Sequence, residues 1–190
     1  MSLDANPIDS NILTPKEIQR LIEAAVVLTR NRDGTFRTNN YRLLIKTAIF
    51  TGMRSGEIRG LQWGDIDWNS AEIHVRRSWK EGAYHRPKTQ ASLRRIDLPK
   101  FLVTELRTWR LACPKGPDDL VSPNLAGNPM SNTNLLQRGF YPALRRAGLR
   151  KIRFHDLRHY SEFRIIPSAS IKSNGRLGPS RMRLGIIRVS

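Results

Sequence analysis

Cysteine occurs once in the 190 residues, at Cys113. An internal disulfide is therefore impossible, and no ligand-spaced His or Cys surrounds Cys113 to suggest a zinc site; packing is its expected role. Acidic residues are scarce: 16 Asp plus Glu face 33 Lys plus Arg, a formal charge of +17. That imbalance favours a polyanionic partner, nucleic acid first and an anionic membrane second. No apolar run approaches the roughly 20 residues that span a bilayer, and no signal pattern opens the chain. The expectation is a cytoplasmic protein without a membrane partner. No internal repeat is visible at a period of 20 to 50 residues. An apolar content of 39% nevertheless suits a packed core.

The positive charge is not confined to one end. Residues 161–190 carry six Lys or Arg against Glu162 alone, so most of the excess lies in residues 1–160. Residues 1–10 are polar, lack periodicity and read as a disordered or tag-like leader. Residues 11–163 read as one domain and 164–190 as a basic, weakly ordered tail, because Pro167, Gly175, Gly178, Pro179 and Gly185 interrupt any long periodicity.

Within the domain, Thr14, Pro15 and Glu17 supply a cap, a first helical residue and a capping-box partner. Ile18, Leu21, Ile22, Ala25 and Val26 then recur at helical spacing. A polar loop through Asn31, Asp33 and Gly34 leads to an apolar helix over 41–50 ending near Gly52, and a short helix covers 56–61. Ala71, Ile73 and Val75 alternate with polar residues, as do Arg94, Ile96 and Leu98, which predicts a small antiparallel sheet joined by a turn-rich stretch over 80–86. Helix returns over 100–111, followed by a surface loop over 114–130. Ser131 caps a helix towards Ala147, kinked or broken at Pro142, and a last helix runs over 154–163. The fold class expected is mainly α with a small antiparallel β-sheet (α+β).

Three places in this frame suit a phosphate under attack. Charge develops on the non-bridging oxygens of such a phosphodiester, and guanidinium groups hold those oxygens in bidentate pairs. Arg54 lies between Gly52 and Gly56 where one helix ends and another starts, a position whose N–H groups also favour an anion, and Glu57 is placed to hold its guanidinium. His155 and Arg158 in FHDLRHY are three apart and share a helix face. Lys88, after Pro87 at the tip or edge of the predicted sheet, is suited to protonating a leaving oxygen. His159, Asp156 and Leu157 read as structural. Each pattern alone is also compatible with a solvated basic side chain.

Order and spacing join them. ILTPKEIQRLIEAA, TGMRSGEIRGLQWGDIDW, PKTQASLRRIDLP and GFYPALRRAGLRKIRFHDLRH resemble, in sequence, four blocks of the catalytic domain of tyrosine recombinases, the phage integrase family, over roughly residues 11–160. The resemblance implies DNA recombination and integration of a mobile element on double-stranded DNA, with other recombinase protomers as possible partners and neither metal nor nucleotide cofactor. It also implies that Arg54 and Arg158 clamp the scissile phosphate, that Lys88 is general acid to the leaving 5′-hydroxyl, that His155 assists, and that Glu57 is the supporting acid. A tyrosine nucleophile completes the family pattern through a 3′-phosphotyrosyl link.

Two family features are missing from this sequence. No helical core-binding domain precedes the opening helix, and residues 161–190 contain no Tyr, His or Trp, with Leu177–Gly178 followed by Pro179. Tyr160, two residues past Arg158, projects about 200° away from it on a helix and is a poor nucleophile candidate. The nucleophile is thus unknown, and the expectation is a domain inactive alone, with a frameshifted or decayed end. The alternatives are a tyrosine supplied in trans, a non-catalytic DNA-binding remnant, or a basic RNA- or ribosome-binding protein. A type IB topoisomerase is a more distant one.

Overall fold

In the computed structural model the described residues are 12–26, 28–30, 36–38, 40–86 and 93–162. Lys88, the tail and Phe163 lie outside them. Helix α1 (Pro15–Ala24) starts as its sequence dictates: Thr14 Oγ1 accepts the Glu17 N–H while Glu17 Oε2 accepts the Thr14 N–H at 2.7 Å. Its buried Ile18 and Leu21 face the core. Arg146 donates to the Ala24 carbonyl, Arg20 to the Ala147 carbonyl, and Arg150 to Glu17 Oε1 at 2.6 Å. Three basic side chains thus fasten α1 to the chain 120 and more residues later.

After α1 a short antiparallel pair forms, β1 (Leu28–Arg30) with β2 (Phe36–Thr38), while the expected polar loop through Asn31, Asp33 and Gly34 lies outside the described residues. Helix α2 (Tyr41–Thr51) is buried along most of its length, with Leu44, Ile45, Ala48 and Ile49 at the centre of the core. A central helix needs apolar residues all round. The one buried cation on it, Lys46, is paired with Glu105. Gly52 terminates α2 in the left-handed conformation (φ 63°), and its N–H returns to the Ala48 carbonyl at 3.0 Å.

Helix α3 (Ser55–Arg59) follows at once, and then β3 (Ile66–Asp67), β4 (Glu72–Val75) and, later, β7 (Arg94–Asp97) form a three-stranded antiparallel sheet in the order β3-β4-β7. Ile73 and Val75 point into the core, as the alternation predicts. The turn-rich stretch is itself a hairpin, β5 (Ser78–Lys80) with β6 (Ala83–His85), tied by the edge-to-face pair Trp79–Tyr84.

Helix α4 (Lys100–Ala112) buries Leu102 and Leu106. The loop over 114–130 departs from the surface reading. Leu120, Val121, Ser122 and Met130 are buried, the Val121 N–H bonds the Leu61 carbonyl at 2.9 Å, and the Trp63 N–H bonds Asp119. A buried loop is possible because these backbone groups find partners on the α3–β3 connection. Cys113 is a half-buried packing residue whose thiol burial pushes up to about 11.

Ser131 caps the next helix as expected, through Asn134 N–H to Oγ at 3.0 Å, but that helix is not uniform. Three residues of α5 (Asn132–Asn134) pass into a π-helical stretch at Leu135–Phe140 before α6 (Tyr141–Arg146), in which Pro142 is the second residue. The widened turn brings Gly139 against Tyr41, where a Cβ would lie 2.4 Å from the ring. The last helix also begins later than its pattern suggests: a 3-10 turn at Phe154–Asp156 precedes α7 (Leu157–Glu162), which packs on α2.

Gly52 is where α2 and α7 meet. A Cβ there would sit 2.3 Å from Ser161 Oγ and 3.5 Å from Arg158 Cγ. Gly52→Ala therefore adds left-handed strain and a close contact, and is expected to cost about 1–2 kcal/mol. Thermal denaturation checks this, with Gly64→Ala, which meets nothing within 4 Å, as the reference.

Candidate phosphate site

An open groove of about 1380 Å³ runs between α3, the β5–β6 hairpin, the start of α5 and the 3-10 turn. Its basic lining includes Arg54, Arg77, Lys80, Arg86, Arg153 and His155, and Glu57 and Glu81 are its acids. Arg54 and His155, 101 residues apart in sequence, are thus brought to one surface. Arg158 does not line the groove; its side chain lies beside Gly52, two residues before Arg54.

Arg54 is built into position by its own helix start. It is the N-cap of α3, its N–H bonds Glu57 Oε2 at 2.7 Å, and its Nη1 bonds Glu57 Oε1 at 3.2 Å while 56% of the side chain stays exposed. Glu57 is only 8% exposed and also receives Arg94, Nη1 to Oε1 at 2.9 Å and Nη2 to Oε2 at 2.8 Å. Burial pulls this carboxyl upward, but the Arg94 hydrogen bonds, the Arg54 N–H and both guanidinium charges outweigh it and hold it below its ordinary value. A carboxylate depressed on folding adds stability above its unfolded pKa and loses that stability as pH falls through the folded value. Glu57→Gln should accordingly flatten the acid limb of the stability–pH profile and cost about 1–3 kcal/mol at neutral pH. Urea denaturation at several pH values measures both.

The same construction recurs at the other end of the chain. Arg153 is the N-cap of the 3-10 turn; its N–H bonds Asp156 Oδ2 at 2.9 Å and its guanidinium bonds Oδ1 at 2.9 Å. Asp156 is buried, and although burial opposes it, the Arg153 contacts keep its carboxyl below the usual range. This agrees with the structural reading of Asp156. Phe154 packs edge-on against Phe140 at 5.2 Å and Leu157 enters the core, so the residues on both sides of His155–Asp156 are anchored. His155 stands exposed, with the His159 ring 6.3 Å away and edge-on. His159, read as structural or solvent-facing, is thus a neighbour of His155, since the two are four residues apart.

Tyr160 is partly buried and packed against the core. Of the other tyrosines, Tyr41 is buried, Tyr141 half-buried, and Tyr84 donates to Asp118 at 2.8 Å. Among the described residues no three His, Cys, Asp or Glu are grouped to hold a metal ion, and no helix is long and apolar enough to cross a membrane. Lys88 lies outside the described residues. Sequence reasoning missed Arg77, Arg94 and Arg153. An R-x-x-D spacing matching R-x-x-E signalled Arg153, whereas no local signal marked Arg94.

Residues 11–169 match the phage integrase family, and the chain belongs to that family. It is similar to the ICEBs1 integrase of Bacillus subtilis, 42% identical over 79 residues that cover 37% of this chain and 22% of that protein. A tyrosine recombinase XerC-like protein of Caldanaerobacter subterraneus is 29% identical over 146 residues, 62% of this chain and 36% of the relative. The chain therefore spans about a third or less of these relatives. Among solved structures, the XerA recombinase superposes with a TM-score of 0.59 at 21% identity, covering 84% of this chain and 50% of that one. The lambda integrase catalytic core gives 0.51 at 21%, covering 80% of each. At these identities the likeness establishes the fold: a tyrosine-recombinase catalytic domain of mainly helical α+β architecture.

Proposed function

We propose that this domain serves site-specific DNA recombination and integration by holding one backbone phosphate of double-stranded DNA between Arg54, His155 and Arg158. The observation that carries the reading is the meeting of Arg54 and His155, from two distant sequence blocks, in one basic groove with Arg158 beside Gly52. The similarity to a transposon integrase whose structure is in complex with transposon right end DNA supports DNA as the ligand.

In this reading a tyrosine oxygen attacks phosphorus and the bond to the 5′-oxygen breaks. Two guanidinium groups neutralise the charge that grows on the non-bridging oxygens, and His155 hydrogen-bonds one of them. Lys88 gives its proton to the departing 5′-oxygen. The phosphotyrosyl link conserves the bond energy, so the reaction consumes no nucleotide cofactor. Tyr160, packed on the core, is not the attacking group. The nucleophilic tyrosine is not assigned among residues 12–162, a tyrosine supplied in trans by another recombinase protomer is one source, and the setting is the cytoplasm, where the element's DNA resides.

The full chain mixed with a nicked duplex carrying its element's attachment site should give a mobility shift and no denaturant-resistant adduct. Adding an intact recombinase of the same element should yield an adduct. An adduct formed by the chain alone and abolished by Tyr160→Phe contradicts the assignment of Tyr160; absence of any shift contradicts DNA binding.

A further inference from the structure

The carboxylate behind Arg54 is shared, and its second tenant ties the short helix that carries Arg54 to the sheet. Glu57 offers two oxygens, and each accepts from both arginines: Oε1 from Arg54 Nη1 and Arg94 Nη1, Oε2 from the Arg54 N–H and Arg94 Nη2. Arg94 contributes the two parallel bonds of a bidentate pair; Arg54 contributes a single guanidinium bond and a backbone one. The residues are unequal in exposure as well. The Arg94 side chain is 28% exposed and that of Arg54 is 56% exposed. Arg94 does not line the groove, while Arg54 and Glu57 do.

The geometry points to Arg94 as a positioning residue that presents Arg54 to the phosphate by fixing Glu57. Arg94 opens β7, which pairs along its whole length with β4, from Val75↔Arg94 to Glu72↔Asp97. The guanidinium therefore carries the rigidity of the sheet into α3, a helix of five residues that has little rigidity of its own. Remove Arg94 and, among the described residues, the buried Glu57 keeps only Arg54 as counterion. The Arg54 guanidinium is then drawn inward to neutralise it rather than outward to a phosphate. Lysine at 94 preserves the charge but not the paired bonds, so it serves as the discriminating replacement.

This inference rests on the phosphate reading above, and one binding experiment separates the two. Anisotropy of a fluorescein-labelled 30-base-pair duplex is measured with the full chain and with Arg54→Ala, Arg94→Ala, Arg94→Lys, Arg95→Ala and the Arg54→Ala/Arg94→Ala double variant. Arg95 is the neighbour on the same strand and is 73% exposed. Arg54→Ala and Arg94→Ala should each weaken binding by about tenfold, the double variant by little more than Arg54→Ala alone, and Arg94→Lys by at least about threefold despite its unchanged charge. Arg95→Ala should cost less than about threefold. Melting temperatures are recorded alongside, and Arg94→Lys keeps the test valid where Arg94→Ala does not fold. Additive losses in the double variant, or Arg94→Lys equal to wild type, would overturn the positioning role while leaving the phosphate reading standing. An Arg54→Ala variant equal to Arg95→Ala would overturn the phosphate reading itself, and the positioning role with it.

Discussion

Replacing Arg54 and Arg158 together by alanine is expected to weaken duplex binding by about a hundredfold or more, while Arg107→Ala with Arg110→Ala costs less than about tenfold. A hydrogen bond to a charged group contributes about 1.5–3 kcal/mol, and every 1.4 kcal/mol is tenfold in affinity. Two such contacts on one phosphate are therefore worth far more than the removal of two formal charges from a chain of +17. Arg107 and Arg110 suit the control. They lie over the Trp63–Trp68 pair, 5.6 Å from the Trp68 and Trp63 rings respectively, and do not line the groove. Fluorescence anisotropy at several salt concentrations reads the difference. In the proposed reading Arg54 and Arg158 address one phosphate, so their loss should lower affinity much more than it lowers the salt slope, which counts phosphates neutralised. A diffuse polycation binder would respond alike to both pairs.

The largest loss of stability is expected from Phe140→Ala, about 3–5 kcal/mol, out of the roughly 5–15 kcal/mol that holds an ordinary domain together. Phe140 is fully buried at the end of the π-helical stretch and meets Phe154 edge-on and Tyr141 at 5.6 Å. Truncation removes the transfer free energy of a whole ring and leaves a cavity that the π-helical turn, held against Tyr41 through Gly139, has little room to close. Since Phe154 precedes His155, the cavity also loosens the turn that presents the histidine. Urea denaturation should show a lower midpoint with an unchanged slope. Leu111→Ala, at a residue 91% exposed, should stay within about 0.5 kcal/mol of wild type.

What the sequence made legible was chiefly local. Thr14 and Glu17 announce the first helix because capping chemistry is written at a spacing of three, and the same spacing links Arg54 to Glu57 and Arg153 to Asp156. Ile73 and Val75 declare their strand by alternation. The rest depends on partners far away in the chain. Arg94 reaches Glu57 across 37 residues, and buried Arg59 donates to the Met130 carbonyl across 71. The loop through Leu120 and Val121 looked like surface because its Pro and Gly content was visible, whereas the Leu61 and Trp63 backbone groups that receive it were not. The π-helical stretch, too, follows from tertiary fit at Gly139 and Tyr41, against a sequence that reads as ordinary helix up to Pro142. Of the residues proposed to hold phosphate, Arg54, His155 and Arg158 are all marked by motif, but the sharing of one groove by Arg54 and His155 is a property of the fold.

The claim that Arg54, His155 and Arg158 hold a single phosphate is tested most directly by titrating inorganic phosphate into the isotopically labelled chain and following the arginine Nε–Hε and histidine ring signals by NMR. These three residues are expected to shift together along one saturable curve with one dissociation constant, while Arg107 and Arg110 stay in place. Separate dissociation constants for Arg54 and Arg158, or a uniform drift of all arginines without saturation, would contradict it.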